Sequence, residues 1–396
     1  MDSKEFEKQE SMLGFNYCEQ GLLQDPRVSH IVDATSQTVF DWAHCVLQGV
    51  LNITLYLFLL DVSPPTRRAA SFRALRGYLQ NWVWPRRIDG SSSARDIFSE
   101  KRLASSLDAG IVKFSMSEGL SLVPVLRHWV KFEIRVERPD LTTACNCLLS
   151  LCLFIQLLQA SARYAVAPAD LQEAYAVFFE LFLECWGEEH TIPKFHYMVH
   201  APASLRRLGT SLNTLACERK HKNTKAWASQ VANPSDIDNC VLREVVSEHV
   251  STLCSAPWLI MEPHLLNARN PPGKVLRWLR SEFGADAKLQ YSTKALVNRF
   301  ENCAVGDVVA IQGNSAKTAQ WHCGRVWFFC SVDDKPLAIV GRYSLVGPAH
   351  HDFSKWEDGD QPGVVSFGDI QDVLVHTNDG NVVTVLHSYP LRCKLV

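Results

Sequence analysis

Several patterns that mark well-known classes of protein are missing from this sequence. No C-x-x-C pair occurs among its thirteen cysteines, which argues against a zinc ribbon and against a redox motif. The chain has no glycine-rich phosphate loop and no nucleophile elbow, so a metal-dependent hydrolase of small molecules is the least favoured function. Forty basic and forty-two acidic residues nearly cancel. Any nucleic-acid or membrane partner must therefore be recognised by local clusters of charge.

The N-terminal decapeptide MDSKEFEKQE has no apolar core, so nothing in it supports a secretory signal. Two apolar runs, at 45–60 and 141–160, approach the length of a membrane span. Gln48, Asn52 and Thr54 interrupt the first run. The second is polar in its first third, with cationic anchors on one side only. We interpret both runs as core helices, and we expect a soluble intracellular protein with buried, reduced thiols.

The helical part of the sequence is long. Residues 1–35 form a loose lead-in of mixed charge without clear periodicity. Residues 36–300 are dominated by helical spacing of apolar residues. A first helix is predicted from Ser36 or Thr38 through Leu60, where a Ser-Pro-Pro stretch ends it. Residues 36–300 are therefore predicted to form a large α-helical domain.

The amino-acid composition and its pattern change near residue 300. From 301 to 396, short runs rich in valine, isoleucine and aromatics are separated by glycine, proline, asparagine and aspartate. The stretch TNDGN at 377–381 predicts a hairpin, because Asp-Gly tolerates positive φ. We predict a small C-terminal β-barrel of about five or six strands, which makes the whole chain α+β. Trp321, Trp327 and Tyr343 could line a peptide or methyl-lysine groove of this barrel, or fill its core.

Two histidines four residues apart stand in the segment KFHYMVH. Pro193 suits the first position of a helix, so His196 and His200 fall on one helix face, where one metal ion can bridge their imidazoles. Pro202 predicts a break or kink directly afterwards. Such a pair is more often a surface feature or a satisfied part of a core.

A second pair of possible metal ligands lies upstream and makes a metal site at the two histidines more plausible. Asp41 and His44 lie at i and i+3 in the segment FDWAHC, near the start of a mostly apolar helix. A carboxylate there is costly unless it is paired, hydrogen-bonded or bound to a metal. One alternative is an acid stabilised by the helix dipole, and another is a local ion pair. Together with His196 and His200, the pair could form a closed tetrahedral N/O site, which would hold a structural zinc ion.

One acid, Glu218, stands among cations in the run CERKHKNTK. It could belong to a solvated helix face in which it pairs with Lys222. It could instead hold a divalent cation beside phosphate-binding cations, an arrangement used for phosphodiester cleavage by two metals. Basic side chains that could grip DNA occur here and on two upstream segments. They are Arg67, Arg68, Arg73, Arg76, Arg206, Arg207, Arg219, Lys220, Lys222 and Lys225.

The ordered set D-x-x-H, P-K-x-H-x-x-x-H and ERKHK resembles the C-terminal half of eukaryotic cut-and-paste DDE transposases, the CACTA (En/Spm) group and its relatives. The resemblance covers roughly residues 10–250. It implies an RNase H-like catalytic core interrupted by an α-helical insertion, with Asp41, His44, His196 and His200 at the zinc-clip positions. It further implies that Glu218 is the third catalytic acid, that Mg²⁺ or Mn²⁺ serves the intact enzyme, and that the protein is nuclear.

The sequence departs from this family in one respect. Two catalytic aspartates should precede the D-x-x-H motif on strands, but only 40 residues lie before Asp41 and none of their acids ends a strand-like run. We expect an N-terminally truncated transposase, incapable of strand transfer alone, because one glutamate cannot hold two metal ions. The tail weakly resembles a bromo-adjacent homology or SH3-like barrel. The alternative is therefore a non-catalytic chromatin protein that binds DNA and uses the barrel to read histone tails.

Overall fold

The chain is an α+β protein that divides into two compact units. The computed structural model describes residues 4–6, 18, 21, 25–27, 30–31, 39–88, 94–163, 165–214, 224–230, 236–254, 262–298, 301–313, 321–359 and 361–388. The first unit takes in residues 1–75, 97–123 and 129–216. The second takes in residues 76–96, 124–128 and 217–396.

Helices make up most of the described part of the first unit, and the second unit also contains helices. In chain order they are α1 (Ala43–Val50), α2 (Leu51–Val62), α3 (Ala70–Gln80), α4 (Glu100–Ala109), α5 (Met116–Trp129), α6 (Val130–Ile134), α7 (Arg135–Glu137), α8 (Thr142–Ala160), α9 (Pro168–Trp186), α10 (Pro193–Val199), α11 (Ala201–Leu208), α12 (Ile237–Cys254) and α13 (Gly273–Phe283). Helices α1 and α6 are wound with the wider i→i+5 hydrogen bonds of a π-helix.

The interior of the first unit is built on the apolar runs that the sequence predicts as core helices. Helix α8 packs along α9. Phe178, Phe182 and Phe195 form an aromatic cluster there, and each is buried to 2% exposure or less. Burying a phenylalanine side chain of this kind stabilises a fold by about 1.5–3 kcal/mol. By length and composition, Ala43–Val62 and Pro139–Ala160 could each cross a membrane, but about two thirds of each is buried, as in the core helices of soluble domains.

The start of the first helix differs from the prediction. The expected capping residues, Ser36 and Thr38, lie outside the described residues, and the helix begins at Ala43. Its first eight residues contain a break, because Gln48 has non-helical angles of φ −102° and ψ 30°. The predicted end is close to the observed one, since α2 ends at Val62 before the Ser-Pro-Pro stretch.

Antiparallel strands occupy the second unit. In chain order they are β1 (His264–Leu266), β2 (Leu289–Ser292), β3 (Lys294–Asn298), β4 (Glu301–Ala304), β5 (Val308–Gln312), β6 (Trp321–Val332), β7 (Lys335–Arg342), β8 (Ser344–Leu345), β9 (Phe353–Glu357), β10 (Pro362–Ser366), β11 (Ile370–Leu374), β12 (His376–Asp379) and β13 (Val382–Leu386). Three of them, β1, β2 and β3, lie before residue 300, in the stretch that the sequence predicts as helical.

The strands form three antiparallel sheets, and the predicted small barrel is not confirmed. One sheet has the order β10-β7-β6-β5-β11 with β2 also paired to β6, a second has the order β1-β3-β4, and a third has the order β12-β13-β9-β8. No sheet closes on itself within the described part of the chain. The hairpin prediction is confirmed, because β12 pairs with β13 across a turn in which Gly380 has φ 60°.

A buried charged cluster joins the sheets to the chain segment 76–96. The guanidinium of Arg87 pairs with Glu301, whose side chain is fully buried. The amide of Arg86 donates to the carboxylate of Asp307 at 2.8 Å. Burial raises the pKa of Asp307, and burial together with the neighbouring Glu301 charge raises the pKa of Asp372 to about 6. The positive charge of Arg87 therefore lies near the carboxylates of Glu301, Asp307 and Asp372.

The cysteines in the described part of the chain form no disulfide. Seven of them are buried, as the sequence predicts for reduced thiols: Cys45, Cys145, Cys147, Cys152, Cys303, Cys323 and Cys330. Burial raises the pKa of Cys45 and of Cys145 to about 11, and that of Cys330 to about 12. These thiols are therefore poor nucleophiles at neutral pH.

Candidate metal and nucleic-acid site

The predicted helix start at Pro193 is confirmed, but His200 lies in the turn that follows this helix and not within it. Helix α10 starts with Pro193 in its first turn, and α11 follows after a turn at His200, with Pro202 in its own first turn. His196 and His200 are both exposed, and their Nε2 atoms lie 3.4 Å apart. This is longer than a good hydrogen bond. It matches the edge of a tetrahedral zinc–nitrogen site, roughly 3.3 Å for bonds of about 2.0–2.1 Å.

Lys194 of α10 is hydrogen-bonded to the first helix at its break. Lys194 Nζ donates to the carbonyl of Gln48 at 2.9 Å and to that of His44 at 3.2 Å. Gly49 makes this approach possible, because a Cβ atom there would lie 2.4 Å from Lys194 Cδ. The lysine thus satisfies helix carbonyls at the break and fixes where the histidine pair stands.

An aromatic contact supports the same junction. The ring of Phe40 stacks on Tyr197, with ring centroids 4.4 Å apart and planes 5° apart, and it also stacks on His200 at 5.8 Å. Stacked aromatic pairs of this kind contribute about 0.5–1.5 kcal/mol beyond the area they bury. The segment that leads into α1 therefore lies against the histidine pair.

Asp41 is hydrogen-bonded on both carboxylate oxygens. Oδ1 accepts the amide of Ala43 at 3.0 Å and the amide of Thr214 at 3.2 Å. Oδ2 accepts the hydroxyl of Thr214 and pairs with Nδ1 of His44. Burial acts to raise the pKa of Asp41, but the bonds from His44, Thr214 and Ala43 outweigh burial and hold the pKa below its usual value. The ionised carboxylate of Asp41 therefore links the start of the first helix to the segment at Thr214 through hydrogen bonds.

The four residues of the predicted zinc clip form two pairs. Asp41 bonds to His44, and His196 faces His200. Within the described ranges, no group of three or more histidine, cysteine, aspartate or glutamate side chains has the geometry to hold a metal ion. A zinc ion shared by all four residues stays a prediction.

The predicted DNA-binding residues differ in what surrounds them. Arg67 and Arg68 are exposed in the turns before α3, and Arg206 and Arg207 are exposed on α11. Lys225 is also exposed, and Arg76 is partly buried. Arg73 donates two bonds of 3.0 Å to Glu100, so that carboxylate already neutralises its charge. Glu218, Arg219, Lys220 and Lys222 lie outside the described residues.

The three aromatic residues predicted for the barrel have separate roles. Trp321 and Tyr343 are 2% and 6% exposed and lie in a core cluster with Trp356, so the prediction that they line a groove does not fit their burial. Trp327 is 38% exposed, at an irregularity of the β6–β7 pairing. Its indole lies over Gly341, where a Cβ atom would come within 2.7 Å of Nε1. Only this one of the three presents an aromatic face to solvent.

A groove lies beside the histidine helix. It has a volume of about 360 Å³, and Tyr175, Phe179, Val199 and Pro202 supply most of its apolar lining, with Arg206 at its edge. An apolar floor suits an apolar side chain better than a phosphate group. Arg207 is not among the residues that line it.

Sequence reasoning missed Thr214 and Lys194, the two residues that organise the site. Thr214 stands in an extended segment without periodicity, and nothing in its neighbourhood indicates that it bonds to a residue 173 positions earlier. Lys194 follows a proline in the first turn of α10, where a cation is unfavourable for the helix dipole. That local misfit is a signal that the lysine has a partner elsewhere.

Comparison of the chain with models of protein families, with curated proteins and with solved structures gave no match in any of the three.

Proposed function

We propose that this chain is a transposase-derived, DNA-binding nuclear protein. The observation that carries the proposal is the surface formed by α10 and α11, where an exposed histidine pair is followed directly by exposed Arg206 and Arg207. Arginine side chains in solvent can contact phosphates, and each phosphate they neutralise releases bound counterions. The ordered D-x-x-H, P-K-x-H-x-x-x-H and ERKHK motifs support a transposase origin.

The test is binding to a mixed-sequence duplex, measured by fluorescence anisotropy between about 50 and 200 mM salt. We expect affinity to fall steeply with salt. Arg206→Gln combined with Arg207→Gln should flatten the log–log salt slope by about 2, because each lost phosphate contact contributes about 0.9. Arg73→Gln is the matched control, since its guanidinium is already paired with Glu100. Absence of binding at the lowest salt would refute the proposal.

We further propose that the chain alone does not cleave DNA. Two-metal phosphodiester chemistry needs several carboxylates around the ions. The family resemblance supplies one acid here, Glu218. The check is incubation of the chain with supercoiled DNA and Mg²⁺ or Mn²⁺. Metal-dependent nicking that is abolished by Glu218→Gln would overturn this expectation.

A chromatin-reading role for the C-terminal sheets is the second candidate. The observation in its favour is the exposed indole of Trp327, which rests on Gly341 and could stack on a peptide side chain. Binding of labelled histone-tail peptides to the full chain measures it. Trp327→Ala should abolish such binding and leave DNA affinity unchanged. Equal peptide binding by both forms would contradict this role.

A further inference from the structure

Helix α13 carries a row of three cations on its solvent-facing side. Lys274, Arg277 and Arg280 follow one another at intervals of three residues, and all three side chains are exposed. Residues three apart are neighbours on a helix surface, and each step advances the chain by about 4.5 Å along the axis. The three cations therefore form a row about 9 Å long on a rigid element.

The opposite side of α13 is buried against the sheet that contains β6 and β7. Leu279 is fully buried in a cluster with Cys330 and Ile339. The ring of Trp278 meets that of Phe328 edge-on, with ring centroids 5.9 Å apart. Turning the helix to hide its cations would expose this apolar side to water, so the row of cations stays in solvent.

The charges of the row are not neutralised within the described part of the chain. None of the three cations forms an ion pair with a carboxylate there, whereas Lys288, just after the helix, is paired with Asp334 at 2.8 Å. Glu282 belongs to the same helix, but it lies about 140° around the axis from Arg277, the middle of the row. The row is therefore a local excess of positive charge in a chain whose net charge is −2.

A straight row of cations suits a linear polyanion. Along one strand of duplex DNA a phosphate follows about every 3.4 Å of the axis, so a row of about 9 Å faces roughly three phosphates. A basic amphipathic helix can also lie on a membrane, but it then buries its apolar side in the lipid. The apolar side of α13 already packs on the sheet, which favours the nucleic acid.

We infer that Lys274, Arg277 and Arg280 contact the phosphate backbone of duplex DNA, without regard to base sequence. This surface lies outside residues 10–250, which the family resemblance covers, and its cations are not among the basic residues assigned from the sequence. The inference rests on the proposed DNA binding, and it adds a contact surface in the second unit to the one on α10 and α11.

The experiment measures the salt dependence of duplex binding by the full-length chain, with fluorescence anisotropy on two duplexes of unrelated sequence. The variant replaces the three cations together: Lys274→Gln, Arg277→Gln and Arg280→Gln. We expect the log–log salt slope to flatten by about 2.7 on both duplexes, because each lost phosphate contact contributes about 0.9. Glutamine has nearly the helix propensity of lysine and arginine, so circular dichroism should be unchanged.

The matched control removes three exposed cations that already pair with acids, so it changes the net charge equally. Its substitutions are Arg27→Gln, Arg73→Gln and Lys288→Gln. The control should leave the slope nearly unchanged. Ser281→Arg supplies a gain: Ser281 is exposed and lies between Lys274 and Arg277 around the axis, so the slope should steepen by about 0.9.

The outcomes separate this inference from the proposed function. A chain that binds duplex with the same slope in the triple variant would overturn the inference and leave the proposed function standing. Absence of duplex binding by the original chain would refute both. Vesicles containing phosphatidylserine test the membrane alternative. If the triple variant loses vesicle binding and keeps its DNA slope, the row contacts lipid and the inference is wrong.

Discussion

Removing the cation of the Arg87–Glu301 pair should destabilise the second unit strongly. Glu301 is fully buried, and Arg87 is 29% exposed. Burial acts to lower the pKa of Arg87, but the charges of Glu301, Asp372 and Asp307 outweigh it and raise that pKa, which shows how many acids depend on this guanidinium. Arg87→Met leaves a buried carboxylate without its cation, which costs about 3–5 kcal/mol.

An exposed pair gives the scale for comparison. Arg73 and Glu100 form a bidentate ion pair, and each side chain is 58% exposed. Pairs of this kind contribute little to stability, because water and salt screen them. Arg73→Met should therefore have an effect at least about three times smaller than Arg87→Met.

The assay is urea unfolding of the intact chain, followed by circular dichroism and fitted with a separate transition for each unit. Combining Arg87→Met with Glu301→Leu should recover most of the lost stability, because replacing both members of a buried pair by apolar residues is often neutral. The reasoning is refuted if Arg87→Met costs no more than Arg73→Met. It is also refuted if the double variant is less stable than Arg87→Met.

Two further predictions concern pH and packing. Burial raises the pKa of Asp372 to about 6, so the folded chain holds a proton that the unfolded chain has lost. Stability should therefore fall as pH rises from about 4 through 6, and thermal melts of Asp372→Asn should show a flatter profile. Gly49→Ala should cost about 1–3 kcal/mol in urea unfolding, because its Cβ atom would push Lys194 from the carbonyls it caps.

Each of these has a control. Gly77 lies in α3 with no heavy atom within 4 Å of an added Cβ, so Gly77→Ala should be stabilising by roughly 0.5–1 kcal/mol. Equal losses at Gly49 and Gly77 would contradict the close-approach explanation. An Asp372→Asn variant with the original pH profile would show that another buried acid, such as Asp307, controls the slope.

Local features were predictable because short stretches of chain determine them. Pro193 starts α10, Pro202 separates α11 from it, and the Asp-Gly turn joins β12 to β13, all as the sequence predicts. The strands at 289–298 were missed because they are short and follow a helix closely. The predicted small barrel is not confirmed, and alternation of apolar residues identifies strands without specifying which of them pair.

In the candidate site, too, some features follow from local sequence and others from contacts between distant residues. Spacing alone predicts that His196 and His200 lie close together, since residues four apart are neighbours on a helix. Spacing leaves open whether Asp41 is bound to a metal, paired, or hydrogen-bonded, because each of these makes its burial tolerable. In the structure Asp41 is both paired with His44 and hydrogen-bonded to Thr214, 173 residues later.

The sequence by itself determined the helical first part of the chain, the strand-rich tail, the turn chemistry and the proximity of the two imidazoles. Backbone propensity and side-chain period act over a few residues and are written directly in the order of the chain. The tertiary structure alone decided that Arg87 meets Glu301 across 214 residues and that the oxygens of Asp41 are occupied. Which partner a buried charge finds depends on desolvation and on contacts between distant segments, and no local pattern encodes either.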